Sequence, residues 1–118
     1  MFPRALRLSR RRDIERVLKT GRRLSTPLMT VRHLPNGLAK PRVTVVVGTV
    51  VSKRAVARNR IKRQTRHELR QLLGGLQVGV DLMISLKPAI LKTASQERQS
   101  SLRYLLERAG IIPHQRQK

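Results

Sequence analysis

Residues 42–73 have the sequence RVTVVVGTVVSKRAVARNRIKRQTRHELRQLL, which joins an apolar segment directly to a strongly basic one. The first ten residues, Arg42 to Val51, are rich in Val and Thr and are apolar at both odd and even positions. This pattern predicts a central strand covered on both faces of its sheet. The residues from Arg54 to Leu73 have helical periodicity, and Gly74-Gly75 follows as a typical helix end.

Weaker patterns on either side of this segment predict the remaining elements. Apolar residues at helical spacing predict a first helix over Ser9–Thr20 and a last helix around Leu102 to Ala109. Strands are predicted at Leu28–Leu34 and at Val80–Leu86, where apolar residues alternate with Asp81, Met83 and Ser85.

The predicted element order is αββαβα. Three strands are too few to close a barrel, so we expect an α+β fold, a two-layer sandwich in which helices pack on a small sheet. A length of 118 residues fits one domain over residues 1–118. Polar tails are expected at residues 1–8 and 111–118.

The charge of the chain indicates its kind of partner. There are 27 Lys and Arg residues against six acidic ones, which gives a formal net charge of +21. Such self-repulsion is typical of a domain that binds a polyanion, and nucleic acid is the first candidate. We therefore expect a single RNA-binding domain.

Several classes of protein are disfavoured by composition. The chain has no Cys, which excludes disulfides, zinc knuckles and thiol nucleophiles and fits a reducing cytoplasm. The longest apolar stretch, around residues 43–51, is interrupted by polar residues and is too short to cross a bilayer. We expect a cytoplasmic protein without a membrane partner.

The helix predicted over Arg54–Leu73 carries the candidate binding residues. One stripe is apolar and should face the sheet; it contains Ile61, Thr65, Leu69, Leu72 and Leu73. Basic residues at successive four-residue steps should form a slanting ridge; they are Arg54, Arg58, Lys62, Arg66 and Arg70. Only Glu68 opposes eight bases between Lys53 and Arg70, which is unlike an ordinary solvated helix face of mixed charge.

We predict that these side chains bind RNA phosphates, because guanidinium groups donate paired hydrogen bonds to phosphate oxygens. Asn59 can read a base edge or a 2′-hydroxyl group. The predicted RNA-binding residues are Lys53, Arg54, Arg58, Asn59, Arg60, Lys62, Arg63, Arg66 and Arg70, together with Arg10, Arg11 and Arg12 at the start of the first helix. Replacing Arg58 and Arg60 should weaken RNA assembly more than replacing Arg98 and Arg108.

The string Arg58-Asn59-Arg60-Ile61-Lys62-Arg63, preceded by Ala55-Val56 and a Val-rich strand, resembles the signature of the protein subunit of bacterial ribonuclease P. Arg7-Leu8, Asp13, Val17 and Gly21 are similar to the first helix of that family. The resemblance covers roughly residues 7 to 109, nearly the whole chain.

This resemblance implies a left-handed β-α-β crossover around the Arg-rich helix. It also implies a catalytic RNA as partner, with precursor tRNA as the substrate whose 5′ leader the complex removes. Catalysis in such a ribonucleoprotein endoribonuclease would come from the RNA and its magnesium ions. No catalytic residue, metal site or cofactor is expected in the protein itself, and no protein partner is predicted.

The resemblance further implies a cleft for the single-stranded leader, formed by the first helix and the sheet. The positions that match it are Ile14, Leu18, Met29 and Arg32, where the family usually has aromatic residues. Stacking on aromatic rings contributes about 1–3 kcal/mol per base, so leader recognition here should depend more on arginine. Thr49 and Val50 stand near the end of the central strand, where the family often has two lysines.

Other functions remain as alternatives. A ribosomal or general RNA-binding protein without a role in cleavage fits the composition almost as well. A cationic membrane-surface protein would need an insertion face, yet the chain has no Trp. A self-sufficient nuclease needs clustered carboxylates, whereas the six acids are scattered; Asp13 and Glu68 are interpreted as internal salt-bridge partners, Asp13 of the nearby Arg16. His33, His67 and His114 lie in different predicted elements and suggest no metal site.

Overall fold

A computed structural model describes residues 7–74 and 78–113. Four strands form one mixed sheet in the order β1-β2-β4-β3. They are β1 (Arg22–Ser25), β2 (Met29–Pro35), β3 (Arg42–Val46) and β4 (Val80–Leu86). β2 pairs antiparallel with β1 and β4, while β3 and β4 are parallel.

Three α-helices accompany the sheet: α1 (Arg11–Thr20), α2 (Ala55–Leu73) and α3 (Ser95–Arg108). A short 3₁₀ turn, Pro88–Lys92, links β4 to α3. α2 connects the parallel strands β3 and β4, which makes the expected β-α-β crossover unit. None of the helices in the described ranges has the length and hydropathy needed to cross a membrane.

The observed order is αβββαβα, so the predicted order lacked one strand. β1 contains two arginines and a serine in four residues, which gives no strand pattern by itself. It is held by pairing with β2 through the connection at Thr26, whose amide donates to the Met29 carbonyl at 2.9 Å. The central strand is also shorter than expected, because the chain turns at Gly48 and the Val51 amide donates to its carbonyl at 3.0 Å.

The main core lies between one face of the sheet and the two helices α2 and α3. The sheet contributes Val31, Val43, Val45, Leu82 and Ile84, all buried. The predicted stripe of α2 packs against them, with Ile61, Thr65, Leu69 and Leu73 buried and Leu72 partly buried. α3 adds Leu102, Leu105 and Leu106. Aliphatic burial of this extent supplies most of the stabilisation of a small domain.

A second, smaller core lies on the opposite face of the sheet beneath α1. Val17 is fully buried there, and it packs with Leu8 and Met83. Ile14 and Leu34 are partly buried against the same cluster. The β4 strand is therefore covered on both faces, which explains why six of its seven residues are buried.

The two predicted tails, residues 1–8 and 111–118, include residues that are packed in the core of the domain. Leu8 is buried, and its amide donates to the Val43 carbonyl at 2.9 Å. The packed part of the domain therefore already includes Leu8, which was expected to belong to the N-terminal tail. Ile111 and Ile112 are buried in the main core. Burial of these apolar side chains is favourable although polar residues adjoin them in sequence. The remaining tail residues 1–6 and 114–118, His114 among them, lie outside the described residues.

An ion-pair network joins α1 to the sheet. Arg42 donates from Nε and Nη2 to the two carboxylate oxygens of Asp81, each at 2.8 Å, and from Nη1 to Asp13 at 3.2 Å. The hydrogen bonding that Arg42 donates to Asp81 is the main cause of the raised pKa of Arg42, so this side chain stays charged. Asp13 thus pairs with Arg42 across the fold rather than with the predicted neighbour Arg16.

Candidate RNA interface

The N-terminal end of α2 is electropositive because of its free backbone amides and its lack of acidic side chains. No side chain caps it, and its first turn contains no acidic residue. The Ser52 hydroxyl accepts a hydrogen bond from the Arg54 amide at 3.2 Å, which fixes the turn before the helix. Unpaired amides at a helix start attract anions, and the exposed side chains of Lys53 and Arg54 flank this end.

The three residues of the Arg-Asn-Arg motif point in different directions, since successive helical residues rotate by about 100°. Arg58 turns toward the preceding loop, where its Nη1 donates to the Ser52 carbonyl at 2.9 Å. Asn59 and Arg60 are exposed. Arg58 therefore also holds the loop at the helix start, and its side chain as a whole is half-exposed.

The predicted ridge is less uniform than the spacing suggested. Its ends, Arg54 and Arg70, are exposed, whereas Arg58, Lys62 and Arg66 are only half-exposed. Each four-residue step turns by about 40°, so the row passes along the edge of the packed face. Arg60 and Arg63 are exposed on another side of the helix. Basic groups are thus present on two sides of α2.

Glu68, the single acid of α2, is buried and is neutralised by α3. Arg98 donates from Nε to the Glu68 carboxylate at 2.9 and 3.1 Å and from Nη2 at 2.5 Å, and both side chains are 6% exposed. The interpretation of Glu68 as an internal salt-bridge partner is confirmed. Arg98 is consequently no surface arginine, and it is unsuitable as the comparison for Arg58 and Arg60.

The sheet face that carries α1 presents rows of side chains across the strands. The strand register places Arg23, Arg32, Met83 and Thr44 in one row. The next row contains Ser25, Thr30, Ser85 and Val46. α1 covers Met83, but Val46 is exposed and Thr44 and Ser85 are half-exposed. Thr44, Val46 and Ser85 were not predicted as candidate contacts, although the alternation in β4 places Ser85 on the Met83 side.

The predicted leader cleft is brought together only in part. Arg32 lies on the α1 face, where Leu18 is exposed and Ile14 is partly buried against the small core. Met29 is fully buried in the main core on the opposite face, because alternate residues of a strand point to opposite sides. The structure therefore separates Met29 from the other three.

The basic residues before α1 lie at its exposed start. Arg10 occupies the N-cap position without a side-chain cap bond, and Arg11 and Arg12 begin the helix. All three are exposed. Arg11 pairs with Glu15 at 3.0 Å, one turn along. This end forms a second cationic surface, on the side of the sheet opposite α2.

The acidic residues are distributed so that they neutralise arginines. Asp13, Glu15, Glu68 and Asp81 all lie in ion pairs, and they belong to three different elements. Within residues 7–74 and 78–113, no three His, Asp or Glu side chains converge as a metal site would require. The predicted absence of a catalytic or metal centre in this protein stays a prediction.

Comparison with known proteins identifies one family. The family model described as Ribonuclease P matches residues 2–110. A ribonuclease P protein component from Xanthomonas axonopodis is 40% identical over 112 residues, covering 95% of this chain and 76% of the relative. One from a Cyanothece species is 34% identical over 128 residues, covering 95% and 98%.

Solved structures agree in fold. The RNase P protein from Thermotoga maritima superposes with a TM-score of 0.77 at 26% identity, covering 86% of this chain and 96% of that one. The RNase P protein of Staphylococcus aureus gives a TM-score of 0.81 at 21% identity, covering 91% and 97%. These similarities confirm the predicted α+β fold class and the family resemblance.

Proposed function

Because this chain belongs to the ribonuclease P protein family, we propose that it binds the catalytic RNA of that endoribonuclease and assists the removal of the 5′ leader from precursor tRNA. α2 would contact the catalytic RNA, and the α1 face of the sheet would contact the leader. The observation that carries the proposal is the start of α2, where an uncapped helix end, Lys53, Arg54 and the Arg58-Asn59-Arg60 motif lie together.

Phosphate recognition is what this end of the protein can do chemically. Guanidinium groups offer paired donors, and the free amides of the first helical turn add to them. Glu68, the one acid of α2, does not oppose them, since it is neutralised by Arg98. Asn59 is exposed beside the arginines and offers a donor and an acceptor to a base edge or a ribose hydroxyl.

Leader binding is proposed for the open rows of the sheet beside α1. Arg23 and Arg32 supply charge there, and Thr44 and Ser85 supply hydroxyl groups to the same face. Leu18 and Val46 provide exposed apolar surface in place of aromatic rings. Val46 is the last residue of β3, and the β3–α2 connection leads from it to Arg54, so this connection links the two proposed RNA contacts along the chain.

The cleavage chemistry is assigned to the catalytic RNA and its magnesium ions. The protein would contribute by binding, because its described carboxylates are dispersed and largely occupied by arginines. Neutralising phosphate repulsion lets an RNA complex form at a lower concentration of magnesium. Cytoplasmic location is part of the same proposal.

The α2 contact is tested by replacing Arg58 and Arg60 together with Ala and measuring the affinity for a bacterial ribonuclease P RNA. Lys92→Ala with Arg108→Ala is the matched control, because both residues are exposed and the charge removed is the same. We expect a loss of about tenfold to a hundredfold for the motif variant and about twofold for the control. Affinity should fall steeply with salt, since bound phosphates release counterions.

Equal losses in the two double variants would mean that charge alone, and not the motif, determines binding. An affinity that does not depend on salt would contradict phosphate recognition. Tight binding to RNA without any effect on cleavage would favour the alternative of a general RNA-binding protein.

A further inference from the structure

A polar groove lies between α2 and α3, on a side of α2 that the basic ridge does not occupy. It consists of two adjoining cavities of about 710 and 220 Å³. Both are lined by Glu68, Gln71 and Gln99, so they form one continuous feature. The larger cavity lies toward the start of α2 and the smaller one toward the middle of α3.

The floor of this groove carries no net charge. Glu68 accepts three hydrogen bonds from Arg98 and is 6% exposed, and every fully buried polar side-chain atom in the described part of the chain has a partner. A phosphate above this pair would meet a neutral surface rather than a carboxylate. The groove therefore does not repel an anion, although it contains the one acid of α2.

The two ends of the groove are cationic. Arg60 and Arg63 line only the larger cavity, and Arg103 lines only the smaller one. All three are exposed and hence hydrated and available. Two separated cationic ends joined by a neutral floor suit a chain that carries repeated negative charges.

Amide side chains lie between these ends. Gln71 and Gln99 line both cavities, and Gln64 lines the larger one. Gln71 also contacts the ring nitrogen Nε2 of His67 at 3.3 Å. Each amide offers both donors and acceptors, which is the combination that base edges and 2′-hydroxyl groups require.

We propose that this α2–α3 groove binds a single-stranded segment of RNA. Arg60 and Arg63 hold phosphates at one end and Arg103 at the other, while Gln71 and Gln99 contact bases or ribose hydroxyls between them. The inference rests on the proposed function, because the protein must first bind a ribonuclease P RNA. It adds a third proposed RNA surface, which includes α3 and shares Arg60 with the contact at the start of α2, but which is distinct from the ridge and from the α1 face.

The test compares Arg103→Ala with Arg108→Ala, two exposed arginines of the same helix of which only Arg103 lines the groove. Affinity is measured for the catalytic RNA alone and, separately, for precursor tRNA bound by the preassembled complex. We expect Arg103→Ala to weaken one of these two affinities by about three- to tenfold, and to reduce the number of counterions released on binding by about one. The RNA whose affinity falls, either the catalytic RNA or precursor tRNA, is the one that supplies the bound single-stranded segment.

The amides are tested with the double variant Gln71→Ala and Gln99→Ala, after its melting temperature has been compared with the wild type. It should lose affinity for the same RNA with the salt dependence unchanged, because no charge is removed. The inference is overturned if the Arg103→Ala and Arg108→Ala variants have equal affinities both for the catalytic RNA and for precursor tRNA. It is also overturned if an acidic peptide binds in the groove and RNA does not compete with that peptide. Cleavage of a precursor tRNA by a bacterial ribonuclease P RNA, measured with and without the wild-type protein, separates this failure from a failure of the proposed function.

Discussion

At the scale of single residues, the Glu68–Arg98 pair fixes the position of α2 against α3. Its carboxylate and guanidinium are joined by three hydrogen bonds and are almost completely buried. Removing one partner of such a pair leaves an uncompensated charge in the interior. Replacing both by apolar residues of similar size is often neutral.

We therefore predict that Glu68→Ala or Arg98→Ala lowers the free energy of unfolding by about 3–5 kcal/mol. The joint change of Glu68→Met with Arg98→Leu should cost much less than the sum. Urea denaturation of the three variants measures this. Additive losses would show that the two groups do not stabilise the fold as a pair.

His33 introduces a pH dependence into the stability of the fold. Its ring is half-buried beside Arg22 on the neighbouring strand, and burial, with a smaller contribution from the Arg22 charge, lowers its pKa below the ordinary value of 6.5. The unfolded chain therefore binds this proton at a higher pH than the folded protein does. Stability is retained above about pH 6.5 and falls as the pH drops below it.

The prediction is a decrease in the free energy of unfolding between about pH 7 and pH 5 that is smaller in the variant His33→Gln. Chemical denaturation at several pH values gives the two curves. Parallel curves for the wild type and the variant would mean that His33 titrates alike in the folded and unfolded states.

At the scale of elements, α1 depends on a polar anchor as much as on its apolar side. Among the described residues of α1, only Val17 is buried. Arg42 compensates by bridging Asp13 on α1 to the buried Asp81 on β4. The orientation of α1 over the proposed leader surface therefore depends on this guanidinium group together with the apolar packing of Val17.

We expect Arg42→Ala to destabilise the fold by about 2–4 kcal/mol, because Asp81 would remain buried without its cation. Hydrogen exchange of the α1 amides should accelerate more than that of the α2 amides. Arg11→Ala is the control, since it removes an exposed pair with Glu15 and should change stability by less than about 0.5 kcal/mol. Uniform acceleration in both helices would contradict a specific anchoring role.

The elements also show how far local patterns carry. β4 was predicted with its observed bounds, and α2 within one residue, because their apolar periodicity is regular and their ends carry clear signals. β1 has no such pattern, and only its partner strand determines it. Burial of Arg98 depends on tertiary packing, yet its place four residues before Leu102, on the apolar stripe of α3, was a usable signal.

In the candidate RNA interface, too, some features follow from local sequence patterns and others only from tertiary packing. Charge and spacing identified the basic helix, but they could not show which side chains its packing leaves exposed. Burial of Met29 follows from strand alternation once the face of β2 is known. The α2–α3 groove combines residues far apart in sequence, so no local pattern could reveal it.

At the scale of the whole molecule, the distribution of charge suits a protein held between RNA surfaces. Cationic groups lie at the start of α2 on one side of the sheet and at the start of α1 on the other. Asp13, Glu15, Glu68 and Asp81 are used in ion pairs with arginines. Neutralisation of RNA phosphates on both sides would offset the net charge of +21 in the complex.

The most direct test of this account is the cleavage of a precursor tRNA by a bacterial ribonuclease P RNA at low magnesium, with and without this protein. We predict cleavage at the mature 5′ end when RNA and protein are both present, and little cleavage by either alone. RNA binding by the protein with no change in the rate or site of cleavage would contradict the proposed function.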